Sequence, residues 1–474
     1  MPREYKGVER HTKTLKGTTA MEKYTGFSGH ASLAIVGTWM NDNQIWKEIE
    51  ERVKIKQKII KHTPTDKMKD LLIHILSGGH GIADINNRVR TDKSLQLAFG
   101  RSACAEQSTI SETLDTSTGE NVLEFMEALK VIYQKQGQGY RHDYESKSQV
   151  LDIDLSAMVA GKQAEGATKG YFSGHKNRRG RQLGRVVASL YGEIVSEKLY
   201  PGTVQLEKNL PELIEMAESV LDLDENRRKS TILRFDAGGG TDANINFFLE
   251  RDYFGITKVK NWQRTDKLVK SVTSWQSIPQ LPDHECGWVS EPHEYVRPTR
   301  QLAIRWPNKK KGGWFFCVMV FNLTNELIFE LACLPIPETY TESELISVIV
   351  DAYDLRGGGV ETSYKNSKQG LGLLKRNKKY FHAQEMLVLL AQLAYNITGW
   401  VQYELAQHSS TIASFGVLRM IRDAFQIAGK IEFDAKGNIM SITLNQIHKL
   451  AKAFYDFWQF RFAQNDVCFI LGEI

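Results

Sequence analysis

At residue 149 the spacing of apolar residues changes from three-to-four to two, and that switch constrains the fold more than any other feature of the chain. In Val150-Leu151-Asp152-Ile153-Asp154-Leu155 the aliphatics Leu151, Ile153 and Leu155 share one face. Asp152 and Asp154 share the other, as alternate side chains of a strand must. Strand patterns follow at 185–190, 193–199, 230–236 and 255–259. Helical spacing separates them at 209–221 and at 242–251, the latter opened by Thr241 as a cap. Strands alternating with helices imply an α/β layer.

On either side of this layer the pattern differs. Residues 1–148 read as mainly helical, with apolar repeats at 45–60, 67–76 and 121–133. The stretch 107–114 fits the second helix of a helix-turn-helix, with Ser108, Thr109 and Ser111 meeting DNA. Residues 260–345 are rich in tryptophan (Trp262, Trp275, Trp288, Trp306, Trp314) and in turn signals such as Lys311-Gly312-Gly313, which predicts a β-rich insertion. Helix returns at 343–353 and again from Glu361, and the apolar run 383–400 reads as a buried helix covering the sheet. A helix at 417–427, a hairpin across 434–438 and a helix at 444–460 complete the chain. The divisions expected are 1–148, 149–259, 260–345, 346–410 and 411–474, and 474 residues are indeed too many for one ordinary core.

A hydrophobic share of 42% with 25% charged residues is that of a soluble globular protein. Five dispersed cysteines without a CxxC pair argue against a zinc ribbon or a disulfide scaffold and for a reduced interior. The basic N-terminus leads to no apolar signal core, and no apolar run reaches the ~18 residues that span a bilayer. A cytoplasmic protein without membrane contact is expected.

The net charge of +5 says little, but its distribution says more. Between Gly166 and Gly192 lie Lys169, Lys176, Arg178, Arg179, Arg181 and Arg185 with no acid among them. Between Glu361 and Glu385 lie Lys365, Lys368, Lys375, Arg376, Lys378 and Lys379, again unopposed. Such one-sign runs suit a phosphate backbone, though a solvated face would look the same.

Each basic run follows a carboxylate whose position is telling. Asp154 lies on the first strand of the layer, Asp236 ends a later strand, and Glu361 opens a helix beyond the insertion. Acids at strand ends converge at one edge of an α/β sheet. Three carboxylates there can neutralise two divalent cations. Magnesium suits them, since it prefers oxygen ligands and keeps exchangeable waters, and manganese can substitute. Two such ions promote in-line displacement at phosphorus. Strand geometry alone leaves Asp152 as an alternative to Asp154.

These residues resemble the DDE-type transposases of bacterial insertion sequences. The Asp-x-Thr-like first strand is matched by Asp154-Leu155-Ser156, and the Arg-x-Asp-x-Gly strand end by Arg234-Phe235-Asp236-Ala237-Gly238. The family's Tyr-Arg-Glu-Lys signature, Tyr-x2-Arg-x3-Glu-x6-Lys, is matched by Tyr353, Arg356, Glu361 and Lys368, with one extra residue, a glycine, between Arg356 and Glu361. A Gly170-Tyr171-Phe172 run after the first acid adds to the likeness.

The resemblance implies a ribonuclease-H-like core over 149–259 and 346–410, interrupted by the β-rich insertion. It further implies a helical DNA-binding and dimerisation region before the core and a helical C-terminal region after it. The activity implied is cleavage and strand transfer at the terminal inverted repeats of an insertion sequence. Asp154, Asp236 and Glu361 would be catalytic and would bind two Mg²⁺. Lys368, Lys365, Arg356, Tyr353, Arg178, Arg179 and Arg181 would contact DNA phosphates, and a homodimer would hold both element ends and target DNA. In the family an aromatic residue of the insertion stacks on a flipped base, a role open here to Trp262, Trp288 or Trp314. On an uninterrupted helix the extra glycine would rotate Tyr353 and Arg356 by ~100° relative to Glu361, unless the glycines loop out. Glu361, Lys365 and Lys368 share one helical face.

Two other readings remain. Phe235-Asp236-Ala237-Gly238-Gly239-Gly240-Thr241 resembles the phosphate loop of actin-like ATPases, although the earlier Asp-x-Gly-Thr turn of those proteins is missing. A catalytically inactive, transposase-derived DNA-binding protein is the other.

Overall fold

The computed structural model describes residues 23–58, 61–170, 172, 178–462 and 467–473. Strand β1 (Tyr24–Ser28) opens the chain and leads into a helical stretch that includes Ala31–Asp42, Pro64–Leu76 and Gly119–Gln136. The helix expected over 45–60 is shorter, Ile45–Arg52.

The period-two segment forms β2 (Gln149–Val159). It is joined by β3 (Thr168–Lys169), β4 (Arg179–Ala188), β5 (Glu193–Pro201), β6 (Thr231–Phe235) and β7 (Phe254–Lys258). The order across the sheet is β5-β4-β2-β6-β7. β4 is antiparallel to β5 and to β2, whereas β6 is parallel to β2 and β7 parallel to β6. Parallel neighbours need crossovers, and the helices Leu206–Leu221 and Asp242–Glu250 provide them. β4 begins six residues earlier than the pattern predicts, because Arg181, Gln182 and Arg185 are buried polar residues that hide the alternation.

The insertion is β-rich but does not stand apart from this sheet. Its strands β8 (Gln276–Ile278), β9 (Leu281–Trp288), β10 (Arg300–Pro307) and β11 (Trp314–Phe321) continue it through an antiparallel β11–β7 pairing, giving ten strands in all. Met319 pairs with Lys258 near the end of β7, so β11 begins five residues beyond that point. At the rise of a strand, the β10–β11 hairpin projects roughly 16 Å past the edge where β6 and β7 end.

Helix Phe381–Ala406, expected from the apolar run, is buried along most of its length. It packs on β5 and on the helices Pro64–Leu76 and Gly119–Gln136. Strands β12 (Gly429–Phe433) and β13 (Ile439–Asn445) form the expected C-terminal hairpin. With β1 and β14 (Cys468–Gly472) they build a second sheet, in the order β1-β12-β13-β14. Leu444 belongs to β13, so the helix expected from 444 starts at Ala451. The helix expected at 417–427 is one short turn, Val417–Arg419, followed by a π-turn over Met420–Ala424. The fold is mixed α/β, and no helix among the described residues is long and apolar enough to cross a membrane.

Candidate active site

The ladder between β2 and β6 ends at the pair Ile153–Phe235. Asp154 and Asp236 are therefore the next residues on adjacent parallel strands, and they emerge side by side at one edge of the sheet. Asp152, on the same face one pleat earlier, is fully buried. Its carboxylate accepts from Arg234 Nε at 2.6 Å and from Nη2 at 2.9 Å. Arg234 thus neutralises Asp152 inside the sheet and leaves Asp154 as the acid that faces open space.

Glu361 arrives by way of a turn. Helix Glu342–Asp354 ends in a 3₁₀ turn over Leu355–Gly357, and helix Val360–Lys365 begins after Gly359. The extra residue between Arg356 and Glu361 is absorbed here, so Arg356 still reaches the acids. Its Nη2 donates to Glu361 Oε1 at 2.8 Å and its Nη1 to Asp154 Oδ2 at 3.2 Å. Arg356 Nε is buried without a partner among the described residues. The turn runs close to the sheet: a Cβ on Gly359 would lie 2.2 Å from Asp152 Oδ2, so only glycine fits.

Asp154, Asp236, Arg356, Glu361 and Lys368 line one cleft of about 850 Å³. Burial, and after it the charge of Asp236, pushes the Asp154 carboxyl up to about 7. Lys368 sits on a π-turn over Asn366–Gly370 and donates to Ser156 Oγ at 2.5 Å and to Ala157 O at 2.9 Å. Burial, with Arg185 adding to it, pushes its ammonium down to about 8. Ser156 and Lys260 also line the cleft, and the sequence assigned neither a role of its own. Ser156 is the third residue of the Asp-x-Ser match, and Lys260, two residues past the end of β7, also pairs with Glu207. Only Lys260 stands out by neither type nor spacing.

The donors offered are hard carboxylate oxygens without sulfur or imidazole, which suits Mg²⁺ or Mn²⁺. With Arg356 lying between Asp154 and Glu361, no three His, Cys, Asp or Glu side chains among the described residues stand close enough to share an ion. The ligand chemistry fits; the spacing does so only if the guanidinium moves.

Several residues expected at DNA are placed elsewhere. Arg181 is 1% exposed, and it donates to the carbonyls of Glu165, Lys378 and Lys379 and to Gln384 Oε1, so its donors are directed into the protein. Tyr353 is buried and does not line the cleft, with Lys258 Nζ 4.3 Å and Arg356 Cζ 6.0 Å from its ring centroid. Lys365 is exposed but does not line the cleft. Arg178 is exposed and Arg179 half-buried at the start of β4. Of the two basic runs, Arg185, Arg376 and Lys378 are also buried. Lys378 donates to Ser111 Oγ and pairs with Asp115, so one of the three hydroxyls expected at DNA is engaged within the protein, whereas Ser108 on the same helix, Gln107–Asp115, is exposed. Tyr171, His175 and Lys176 lie outside the described residues. Trp262 is 71% exposed just after Lys260, Trp314 is 44% exposed with Arg305 4.5 Å from its ring, and Trp288 packs under Arg300.

The glycine triplet has a packing explanation. A Cβ on Gly240 would lie 1.8 Å from Lys258 O. Gly238 N donates to Asp236 Oδ1, and Gly239 N and Gly240 N donate to the carbonyls of Asp236 and Ala237. The amides that would cradle a nucleotide phosphate are already occupied.

Residues 26–458 match the family model described as transposase DDE domain group 1. No curated protein matches the chain. Among solved structures it is similar to the cryo-EM structure of the piggyBac transposase synaptic complex with hairpin DNA. That likeness has 10% identity and a TM-score of 0.45, and covers 85% of this chain and 83% of the other.

Proposed function

The chain belongs to the transposase DDE domain group 1 family, and from that membership we propose that it cuts and rejoins the ends of an insertion sequence at the cleft of Asp154, Asp236 and Glu361. The observation that carries this reading is the convergence of those acids, from two strands and a distant helix, on one opening that also holds Arg356 and Lys368. The sheet order β5-β4-β2-β6-β7, three strands antiparallel and the last two parallel to β2, supports a ribonuclease-H-like core.

Asp154, Asp236 and Glu361 would hold two Mg²⁺, which when bound lower the barrier for a hydroxyl to displace an alkoxide at phosphorus. Water attacks the phosphodiester at an element end and releases a 3′-hydroxyl. That hydroxyl then attacks a second phosphodiester, either on the opposite strand or in target DNA. The first step hydrolyses one ester to a phosphate monoester, and in the second one P–O ester replaces another, so no nucleotide hydrolysis is needed. Lys368 and Arg356 line the cleft and would donate to the scissile phosphate.

The β10–β11 hairpin, with Lys309, Lys310 and Lys311 at its tip, lies on the active edge and suits a DNA backbone. Exposed Trp262, beside Lys260, is the best placed of the three candidate tryptophans to stack on a flipped base. Residues 1–148 and the insertion would bind the terminal inverted repeats, a homodimer would pair the ends, and the protein would work in the bacterial cytoplasm on nucleoid DNA.

The test is to incubate the purified protein with candidate inverted-repeat DNA and Mg²⁺ or Mn²⁺ and to map nicked strands. Metal-dependent cleavage at the repeat ends, lost in Asp154→Asn, Asp236→Asn and Glu361→Gln, is expected. Equal cleavage by these variants would overturn the assignment.

A further inference from the structure

Arg185 counts, by sequence, as one cation of a basic run suited to DNA, yet its side chain is completely buried. It stands directly opposite Asp154 in the β2–β4 register. Glu197 on β5 neutralises it. Its Nη1 donates to Ser363 Oγ and its Nη2 to Ser367 Oγ, each at 2.9 Å. These two serines, one on the Val360–Lys365 helix and one on the π-turn, are each 1% exposed and lie on the side away from Glu361 and Lys368.

The guanidinium also lies 4.4 Å from the ring centroid of Tyr364. The Tyr364 hydroxyl sits 2.8 Å from both Asp154 O and Leu183 O. One buried cation thus joins the strand position opposite the first acid to the segment that carries the third.

We propose that Arg185 is a positioning residue: by clasping Ser363 and Ser367 it fixes Glu361 and Lys368 relative to Asp154, and so sets how well the acids accept divalent metal. The inference rests on the reading of the cleft as a metal-dependent site. A guanidinium suits the task because its planar fork directs two nitrogens to two hydroxyls one turn apart while a third edge meets a carboxylate. A lysine presents one nitrogen on a flexible stem and lacks the fixed fork that holds both hydroxyls and the carboxylate at once.

The test compares the full-length wild type with Ser363→Ala/Ser367→Ala and with Arg185→Lys, all of which keep a cation beside Glu197. Mn²⁺ binding is measured by the electron paramagnetic resonance signal of the free ion, and melting temperature and plasmid nicking are followed alongside. Half-saturating Mn²⁺ is expected to rise on the order of tenfold in both variants. Nicking should recover as Mn²⁺ is raised, and each single serine variant should lie between. If the double variant does not fold, the single variants and Arg185→Lys decide. A lower melting temperature with wild-type Mn²⁺ affinity would make the clasp merely structural and overturn the proposal. A wild type that binds no Mn²⁺, or a Glu361→Gln variant that binds it as well as wild type, would instead overturn the metal-site reading and this inference with it.

Discussion

Arg356 and Glu361 face each other across a glycine turn, Nη2 donating to Oε1 at 2.8 Å, and the same guanidinium reaches Asp154. It is a cation that offsets the cluster of acids. Arg356→Ala should therefore bind Mn²⁺ more tightly, on the order of tenfold, because the ion no longer displaces a resident charge. Cleavage should nonetheless fall, since a phosphate donor is lost. Calorimetric titration with Mn²⁺ measures the first effect, and unchanged or weaker binding would show that the arginine does not compete with metal.

Asp152 and Asp154 are two residues apart on one strand face, yet their substitutions should separate stability from activity. Asp152→Ala strands the buried Arg234 and should cost about 3–5 kcal/mol of folding stability. Asp154→Asn removes a carboxylate that burial and Asp236 already disfavour, so its melting temperature should match or exceed wild type while cleavage disappears. Thermal melts beside a nicking assay check this. An active Asp154→Asn or a fully stable Asp152→Ala would reverse the two roles.

The glycines of the turn differ from one another. Gly359→Ala would drive a methyl into Asp152 and should cost about 1–3 kcal/mol. At Gly358 the nearest atom to an added Cβ is Leu355 O at 3.4 Å, so Gly358→Ala should cost little by comparison. Urea denaturation of the two variants decides, and equal losses would remove the close approach as the reason for glycine at 359.

Much of this site was legible because strand periodicity and acid spacing survive in sequence. Asp154, Asp236 and Glu361 stood out by where they fell in the pattern. What sequence could not supply was the partner of each buried charge. Arg181, Arg185, Arg376 and Lys378 look like a DNA surface when read along the chain, since nothing local says that Glu197, Asp115 or backbone carbonyls will meet them. The Asp152–Arg234 pair joins positions 82 residues apart, and only the β2–β6 register reveals it. The extra glycine was ambiguous for a related reason: its effect depends on whether the helix continues, and the sequence does not show that it breaks at Leu355–Gly357 or that Gly359 then lies against Asp152. The insertion strands were expected, but their continuity with β7 is a pairing that composition does not encode.

Lys368 gives the proposed reaction a pH limit. Burial holds its ammonium near 8, below the usual lysine value, so the charged form fades as pH rises through that point. If the cation holds a DNA phosphate, cleavage should be nearly full at pH 7 and fall about fivefold between pH 8 and 9 beyond any change in the wild type's Mn²⁺ binding. Lys368→Arg keeps its charge across this range and should flatten the alkaline limb, even if its longer fork lowers the plateau. Lys368→Met should be weak at every pH, with DNA retention on a filter reduced and less sensitive to salt. The folding contribution runs in the opposite direction: a lysine whose folded value is depressed destabilises the native state below the unfolded value near 10.4, so raising pH toward 10 should slightly stabilise the fold while activity declines. A cleavage profile in which Lys368→Arg and wild type fall together above pH 8 would assign the limb to another group.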